Sequence, residues 1–423
     1  MIQKTNKIFE QNVYLTEASA KIVDVSKNKN GFVTVVLDGT IFHPEEGGQS
    51  ADSGYIRLED KAASSGTPSG DAARYAVTGV KNDGGVIVHT LAVREAPLLA
   101  PGACVRLSID WEHRFDNMQR HCGEHILSGV LHKMYGGVNR GFHMGEECMT
   151  IDISLEDDAK YAGRPLDIDM LEAAELEANK VIWRDEPVTV SFFPTREGAE
   201  QMPLRKKLAI DKDISIVTIG DPSDPSDCVA CCGTHPSSTG QVGLIKIFRV
   251  MANKGMYRVF FEAGKRAYIA CRDDYSSLMH IAKDLSAGRQ DAVSKYDSQV
   301  QKNSEVRERL YNITGVIKKK EAGEIAKALA SGTPVIKYYE FLTSDDISDI
   351  GLSLLGGIPS LLILVSRKAN TVFLFSDKAD CGGIVRERAK EMGGKGGGKK
   401  EFARAVFPSG EAARTFAEKA AET

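Results

Sequence analysis

The segment RFDNMQRHCGEHILSGVLHKMYGG, residues 114–137, decides how this sequence folds around its most reactive side chains. Its apolar spacing predicts a helix that begins near Trp111 and ends at residues 136–137, because glycine commonly stops a helix. Within the helix, His121 and His125 are four positions apart. Both imidazoles therefore lie on one helix face and can reach one ion.

A second reactive segment, CCGTH at residues 231–235, follows the turn-rich run DPSDPSD. Its Cys231 and His235 can complete a tetrahedral zinc site with the helical histidine pair, a mixture of sulfur and nitrogen ligands that zinc favours. Cys228 is a rival ligand, because Cys228 and Cys231 also have zinc-binding spacing. Either motif alone is a weak signal, and a helical histidine pair is usually solvated or packed. The two motifs together indicate a metal site.

Two kinds of zinc site remain open at this point. Four protein ligands form a closed shell, which is typical of a structural zinc. A catalytic zinc needs an exchangeable position, and His235 is the candidate for a loosely bound ligand. Cys122 and Glu124 flank the histidine pair, and the helical pattern predicts that they point to other faces.

Residues 38–54 form a second candidate patch. Its glycines allow the backbone to approach a ligand closely, and Thr40 and Gln49 offer a hydroxyl and an amide to a small polar group. A hairpin turn, with Asp38 and Asp52 as turn formers, is the alternative that these residues favour.

Working outward from the two metal motifs, we predict an α+β multidomain chain. The predicted parts are an N-terminal, glycine-rich, β-barrel-like module (1–110), a zinc-binding α+β domain (111–265), a helical spacer (266–333) and a small α/β C-terminal domain (334–423). Predicted strands cover 33–42, 84–93, 141–155, 187–194, 214–221, 359–366 and 370–377, and predicted helices cover 165–185 and 384–392.

The spacer is predicted from composition. No proline occurs from Ser237 to Thr333, and residues 270–331 are polar and rich in helix formers. We predict one or two long helices, interrupted or ended at Gly288, Gly315 and Gly323. A surface loop is predicted over 61–76.

Composition limits the classes of function. The chain has 423 residues and a formal net charge of −4, with an isoelectric point near 6.2, so any RNA contact must use a local basic patch. Eight cysteines are too few for a disulfide scaffold. No apolar run approaches the roughly 18–20 residues that span a bilayer, and the N-terminus has no apolar signal core. We therefore expect a cytoplasmic protein that does not enter a membrane.

Five segments carry a resemblance to a known family. LDGTIFHPEEGGQSADSG (37–54) resembles the LDxTxFyPxGGGQxxDxG segment of alanyl-tRNA synthetase editing domains, and HCGEH is similar to the HxxxH motif of that family. CCGTHPSSTGQVGLIKI resembles CxGTHxxxTGxIGxxxI, and KGMYRVFFEAGKRA is similar to the segment that follows it. GGKGGGKKEFARA (393–405) resembles the glycine signature of the C-terminal domain shared by alanyl-tRNA synthetases and DHH phosphoesterases. The whole pattern resembles the freestanding, long-form AlaX-type editing proteins.

The resemblance implies an aminoacyl-tRNA deacylase that hydrolyses mischarged seryl-tRNA(Ala) with Zn²⁺, and glycyl-tRNA(Ala) is a second candidate substrate. It implies His121, His125, Cys231 and His235 as zinc ligands, and Thr40 and Gln49 as the residues of the amino-acid pocket. The chain departs from the pattern at Cys232, Glu124 and His43. The alternatives are a noncatalytic tRNA-binding protein with a structural zinc, and a metallohydrolase of another aminoacyl-tRNA.

The C-terminal domain is the predicted site of tRNA contact. Between Val385 and Arg404, seven cationic residues face three glutamates, a local charge of +4 beside a glycine-rich loop whose amides can hold phosphate. The seven are Arg386, Arg388, Lys390, Lys395, Lys399, Lys400 and Arg404. The predicted partner is mischarged tRNA(Ala), and a homodimer through the spacer or the C-terminal domain is a further hypothesis.

Overall fold

The computed structural model describes residues 3–59, 73–156 and 158–422. It divides into two compact units, Met1–Ser277 and Leu278–Thr423, which we call the first unit and the second unit. Of the loop predicted over 61–76, residues 61–72 lie outside the described residues. The four-part division of the chain stays a prediction.

The first unit begins with a barrel. Among the described residues, six strands close in the order β2-β3-β7-β6-β5-β8. Its core holds the inward side chains of these strands, including Ile22, Leu37 and Ile56. Closure leaves no strand edge unpaired. The elements are β1 (Asn6–Lys7), α1 (Ile8–Gln11), β2 (Glu17–Lys27), β3 (Val33–Leu37), β4 (Gly39–Thr40), β5 (Gly54–Leu58), β6 (Arg74–Asp83), β7 (Val86–Leu91) and β8 (Cys104–Ile109).

A long helix and two sheets follow the barrel in the first unit. One sheet has the order β14-β15-β10-β9 and the other has the order β11-β12-β13. The elements are α2 (Trp111–Tyr135), β9 (Gly137–Met144), β10 (Met149–Leu155), α3 (Ile168–Trp183), β11 (Val188–Thr195), α4 (Arg196–Ala199), β12 (Lys212–Ile219), β13 (Asp227–Ala230), β14 (Ile245–Asn253), β15 (Met256–Ala263) and α5 (Gly264–Asp284).

Helix α2 is fixed at both ends by local chemistry. Asp110 caps its first turn by accepting a hydrogen bond from the amide of His113 at 3.2 Å. Gly136 ends it in the left-handed conformation, with φ of 62°. The middle of the helix packs in the main core of the unit, with side chains such as Ile126 and Leu131 fully buried. This burial holds the reactive face of α2 in one place.

The second unit has three layers. A sheet of order β16-β17-β18-β20-β19 is covered by α6 and α7 on one face and by α8 and α9 on the other. Successive residues of β17 alternate between these two cores, because Leu362 joins the first and Ile363 joins the second. The elements are α6 (Ala292–Leu329), β16 (Val335–Tyr339), α7 (Ser344–Leu352), β17 (Leu362–Ser366), β18 (Thr371–Phe375), α8 (Cys381–Arg388), β19 (Lys395–Gly398), β20 (Phe402–Val406) and α9 (Gly410–Ala421).

The predicted mixture of helices and strands, with an N-terminal barrel, is confirmed. Three details differ. The segment 141–155 is part of a hairpin, β9 and β10, whose strands pair antiparallel. Gly288 lies in the break between α5 and α6, as predicted, whereas Gly315 and Gly323 lie inside α6. The predicted glycine-rich loop is largely a strand, β19, which pairs with β20.

Along the described residues, no helix combines the length and the apolar character that crossing a membrane requires.

Candidate metal centre

Four side chains of the first unit converge on one point. His121, His125, Cys231 and His235 each offer a ligand atom, and these atoms all lie within 4.8 Å of one another. They are the four residues that the two sequence motifs predict as ligands. Three imidazoles and one thiolate form a donor set that suits zinc. Their role as ligands stays a prediction, and the structure brings them together.

Two elements far apart in the chain bring the four ligands together. Helix α2 presents His121 and His125 one turn apart, and strand β13 leads directly into the loop that carries Cys231 and His235. Gly233 permits the approach, because a Cβ atom at this position would lie 2.1 Å from Cε1 of His121. The glycine of the CCGTH motif is therefore needed at this packed contact.

The barrel holds the ring of His121. Oε1 of Gln49 lies 3.1 Å from Nδ1 of His121 and accepts the amide hydrogen of Thr234 at 2.9 Å. The amide nitrogen of Gln49 donates to the hydroxyl of Thr234 at 2.8 Å. Gln49 thus joins the barrel to both metal motifs. It contacts a candidate ligand directly, which the sequence did not indicate.

A buried ion pair holds the ring of His125. Nδ1 of His125 lies 3.1 Å from Oδ2 of Asp227. Nε of Arg205 donates to Oδ1 of Asp227 at 2.5 Å, and Nη2 of Arg205 donates to Oδ2 at 3.1 Å. Because Nδ1 is engaged, Nε2 is the nitrogen left for an ion. Sequence analysis identified neither Asp227 nor Arg205 as part of the site, because Asp227 ends a run of residues that is typical of turns.

The lack of hydrogen-bond partners at the ring of His235, among the described residues, supports a metal site. Both of its ring nitrogens are buried, and neither has a hydrogen-bond partner among the described residues. A buried polar atom without a partner is costly and is often explained by an ion. Burial lowers the pKa of His235 to about 4, so the ring is neutral at pH 7, as a metal ligand must be.

The charges of the cluster are coupled. Burial alone would lower the pKa of His125, but the Cys231 thiolate and the Asp227 carboxylate raise it to about 10. Burial alone would raise the pKa of Cys231, yet His121 and His125 hold it well below its ordinary value. These opposite shifts favour a thiolate beside an imidazolium, and an ion that binds there would release the proton of the imidazole.

Cys228 does not join this cluster. Its side chain is buried in a separate small core with Ile214 and Ile216, and its sulfur lies 3.6 Å from the hydroxyl of Thr218. Among the described residues, the group of candidate metal ligands contains Cys231 and not Cys228. The structure therefore gives no support to the rival ligand.

Thr40 lies on β4 and contacts a histidine of the barrel strand β7 rather than any of the four ligands. Its Oγ1 is 2.8 Å from Nε2 of His89 and accepts the amide hydrogen of Phe42 at 3.1 Å. The residue is fully buried. The predicted pocket roles of Thr40 and Gln49 stay predictions.

Glu124 lies on the side of the metal cluster, although the helical pattern predicted another face. Its Oε2 is 3.8 Å from Nε2 of His125. The position three residues after His121 places it on nearly the same helix face, because residues three apart are neighbours on a helix. Cys122, in contrast, points into the hydrophobic core, as predicted for another face.

A cleft of about 1090 Å³ reaches the cluster at Cys231. One wall comes from the N-terminal segment and includes Lys4 and Lys7, and the other comes from β11 and includes Phe192. Phe192 is 55% exposed. Lys7 is paired with Glu10 at 2.9 Å, and Glu46 and Asp213 line the same cleft, so the entrance carries charges of both signs.

The predicted RNA-binding residues lie in the second unit. Six of the seven are exposed, and Arg388 is partly buried. Arg386 forms an ion pair with Asp380 at 3.6 Å, and Arg388 donates to the carbonyl of Lys419 at 3.0 Å. Lys395 lies on β19, an edge strand of its sheet, and Lys399 and Lys400 follow it directly. Their role in RNA binding stays a prediction.

The sequence is similar to known proteins along nearly its whole length. It is 30% identical over 410 residues to the alanyl-tRNA editing protein AlaX-L of Pyrococcus horikoshii, covering 94% of this chain and 93% of that protein. The chain belongs to the AlaX family of alanyl-tRNA editing proteins. The family predicted from the sequence motifs is thereby confirmed.

Other relatives of this AlaX-family chain are longer. It is 29% identical over 411 residues to the alanine–tRNA ligase of Caldivirga maquilingensis and 30% identical over 417 residues to that of Ignicoccus hospitalis. In both cases it spans 42% of the ligase. Two family models match, the second additional domain of threonyl and alanyl tRNA synthetases at residues 214–260 and the class II (A) tRNA synthetases at residues 3–113.

Proposed function

We propose that this protein is a trans-editing hydrolase that deacylates mischarged seryl-tRNA(Ala), and glycyl-tRNA(Ala) as a second substrate, with Zn²⁺ at the candidate metal centre. The observation that carries the proposal is the convergence of three imidazoles and a thiolate in a chain of the alanyl-tRNA editing family. Family membership supports the aminoacyl-tRNA deacylase activity that the sequence predicts.

The residues of the centre fit a zinc ion. The two unpartnered nitrogens of His235 and the sulfur of Cys231, which lies 3.4 Å from Nε2 of His121, are donors that suit the ion. His121, His125, Cys231 and His235 would hold the ion. Zinc supplies electrostatic stabilisation or an anchor for a polar substrate group, and it can lower the pKa of a bound water toward about 7.

The protein side chains then position the ester. The scissile bond joins the amino acid to the terminal ribose, and such an ester needs a placed water and stabilisation of the developing oxyanion. The cleft beside Cys231 is the entrance that the structure offers to this end of the tRNA. A site that hydrogen-bonds the serine hydroxyl discriminates against alanine far better than a site that relies on size.

Thr40 is the proposed partner of that serine hydroxyl. In the structure its own hydroxyl is engaged by His89, so recognition through Thr40 needs this hydrogen bond to be exchanged. A Thr40→Val variant removes the hydroxyl and keeps the shape. We expect it to deacylate seryl-tRNA(Ala) more slowly and glycyl-tRNA(Ala) at the original rate, measured side by side.

A second candidate function is favoured by the closed shape of the cluster. Four protein ligand atoms within 4.8 Å of one another would fill all four positions around a zinc ion, as in structural zinc sites. Under this hypothesis the protein binds tRNA without hydrolysing it. The third hypothesis is a metallohydrolase that acts on another aminoacyl-tRNA.

Deacylation assays with three charged forms of tRNA(Ala) distinguish the three hypotheses. Purified, zinc-loaded protein is incubated with seryl-, glycyl- and alanyl-tRNA(Ala). We expect hydrolysis of the seryl form, with the alanyl form left intact. Failure to hydrolyse the seryl and glycyl forms would refute the proposal, and the double variant His121→Ala, His125→Ala should lose both metal and activity.

Two further parts of the proposal concern partners and location. The exposed apolar side chains of α6, such as Leu310 at 62% and Tyr311 at 78%, support the hypothesis of a homodimer through this helix. Sedimentation of the full chain tests it, and a monomer would contradict it. A cytoplasmic location is also proposed, in keeping with an editing role in translation.

A further inference from the structure

The carboxylate of Glu124 lies at the edge of the metal cluster. Its Oε1 is held by two donors, Oγ of Ser128 at 2.6 Å and Nδ2 of Asn139 at 2.7 Å. Among the described residues, Oε2 accepts no hydrogen bond, and it lies 3.8 Å from Nε2 of His125. Two hydrogen bonds thus fix Oε1 in position, whereas Oε2 has no hydrogen-bond donor among the described residues.

The free oxygen is on the side of the ring that faces the cluster. Nδ1 of His125 is bound to Asp227, so Nε2 points toward the other ligands. Cys231 belongs to the same cluster, with its sulfur 3.4 Å from Nε2 of His121, and it borders the cleft. Oε2 of Glu124 therefore lies at the same cluster of side chains that the cleft reaches at Cys231.

A purely structural role does not explain a carboxylate here. The side chain is 6% exposed, and its ion-pair contact among the described residues is with His125, itself a candidate metal ligand. No lysine or arginine forms an ion pair with Glu124 among those residues, and the two donors to Oε1 are neutral. A glutamine would satisfy Ser128 and Asn139 equally well. A buried ionisable side chain beside a candidate metal site is a candidate functional residue.

We propose that Glu124 is a catalytic residue of the deacylation, an inference that rests on the proposed function. Its Oε2 accepts a hydrogen bond from the attacking water and takes the proton of that water as oxygen bonds to the ester carbonyl carbon. The tetrahedral intermediate then releases the ribose oxygen, which receives the proton from Glu124. The products are the free amino acid and the ribose hydroxyl, and Glu124 is again a carboxylate.

The order of residues agrees with this chemistry. Residues 121–125 read His-x-x-Glu-His, the order found in inverted zinc hydrolase motifs, where metal ligands and a glutamate share one helix face. The resemblance is one of local arrangement only. It adds a general reason why a glutamate at this position serves a pair of metal-binding histidines.

The test compares isosteric variants of the full chain. Glu124→Gln keeps the volume and the contacts of Oε1 and removes the proton acceptor. Glu175→Gln is the matched control, because Glu175 lies on α3 and bonds Lys246, away from the cluster. Three quantities are measured: the single-turnover rate on seryl-tRNA(Ala), the bound zinc per chain, and the affinity for a non-hydrolysable seryl-adenosine amide.

We expect Glu124→Gln to lose about 10²- to 10⁴-fold in rate, the usual contribution of a general base, with zinc content and analogue affinity unchanged. The control should match the wild type in all three. A wild-type rate in Glu124→Gln would overturn the inference and leave the proposed function intact. Loss of zinc in this variant would also overturn it, by assigning Glu124 to the ion instead.

A further variant keeps the test decisive. If circular dichroism shows that Glu124→Gln does not fold, Glu124→Asp retracts the same carboxylate by one methylene. We then expect about a 10²-fold loss, because a misplacement of roughly 1 Å costs that much in a positioned site. An unchanged rate would overturn the inference. A wild-type protein that hydrolyses no substrate would refute the proposed function itself.

Discussion

At the scale of single residues, the two nitrogens of His125 have different tasks. Nδ1 is bound by Asp227, which is itself held by Arg205, and Nε2 faces the cluster. His121 is arranged in the same way, with Gln49 at its Nδ1. Partners of this kind fix the tautomer and orientation of a metal-binding imidazole and raise its affinity for the ion. His235 has no such partner among the described residues, so it is the least constrained of the four.

Asp227 is therefore expected to control metal affinity. Asp227→Asn keeps the shape and removes the charge that orients His125. We expect the affinity for Zn²⁺, measured by competition with a chromophoric chelator, to fall about 10- to 100-fold.

The control for this change is Asp152→Asn. Asp152 accepts two hydrogen bonds from Arg258, both at 2.8 Å, and lies on β10 outside the cluster. Its loss should leave zinc affinity unchanged. Equal losses in the two variants would show that general destabilisation, and not orientation of His125, explains the effect.

His89 predicts a dependence of stability on pH. Burial in the barrel lowers its pKa from an ordinary value of 6.5 to about 4. Since the folded state resists protonation, the stabilisation is present above pH 6.5 and is lost as pH falls through 4. Such a shift corresponds to roughly 3 kcal/mol.

The measurement is the free energy of unfolding of the wild type and of His89→Gln between pH 7 and pH 4. We expect the difference between them to shrink as the pH falls, because only the wild type must exclude a proton. Two parallel curves would contradict the pKa assigned to this histidine.

Sequence reasoning identified the four clustered side chains, because thiolate and imidazole chemistry is visible in the motifs. It missed Asp227 and misplaced Glu124. Asp227 lies in a run of turn residues, and the direction of its carboxylate depends on how β13 pairs with β12. Long-range pairing of this kind leaves no local signal. The position of Glu124 could have been found, since three residues separate it from His121 and helix geometry then places both on one side.

At the scale of elements, glycines within helices have opposite roles in the two units. Gly129 of α2 lies against the loop before β13, and a Cβ atom there would be 2.2 Å from the carbonyl oxygen of Ser226. Around Gly315 of α6 no atom lies within 4 Å of such a Cβ atom. The first glycine permits close packing, and the second only weakens its helix.

The same substitution should therefore have opposite effects. Gly129→Ala is expected to lower the free energy of unfolding by about 1–3 kcal/mol through overpacking. Gly315→Ala is expected to raise the stability of its helix by roughly 0.5–1 kcal/mol. Denaturant unfolding followed by circular dichroism measures both, and destabilisation by Gly315→Ala would contradict the open environment of that residue.

Element prediction worked best where amphipathic or apolar patterns were long. Helix α2 and strands β17 and β18 lie close to their predicted positions. The glycine run at 393–398 was wrongly predicted as a loop. Its strand β19 forms because β20 offers a partner edge and glycine lets the chains approach, as a Cβ atom on Gly396 would lie 2.2 Å from the carbonyl oxygen of Arg404. Glycine content alone gives no sign of such a partner.

At the scale of the whole molecule, the two units carry different groups of functional candidates. The first unit carries the metal cluster, and the second carries the exposed lysines around β19. The net charge of −4 is compatible with RNA binding because the cationic residues are concentrated locally. Binding affinity and chemistry are therefore expected to respond to different substitutions.

The triple variant Lys395→Gln, Lys399→Gln, Lys400→Gln tests this separation. We expect weaker tRNA binding and a salt dependence that is shallower by about 0.7–0.9 for each phosphate that the variant no longer neutralises. The deacylation rate at saturating substrate should stay unchanged. Filter binding at several salt concentrations measures the first effect, and an unchanged slope would place the RNA-binding surface elsewhere.

The metal centre also sets an order of events during synthesis of the chain. Gln49, His121, Asp227 and His235 all contribute to it, and 186 positions separate the first from the last. A ribosome must therefore release most of the first unit before the site exists. Until then the imidazoles of His121 and His125 are open to other ions, and the loop that carries Cys231 and His235 shields them once it is in place.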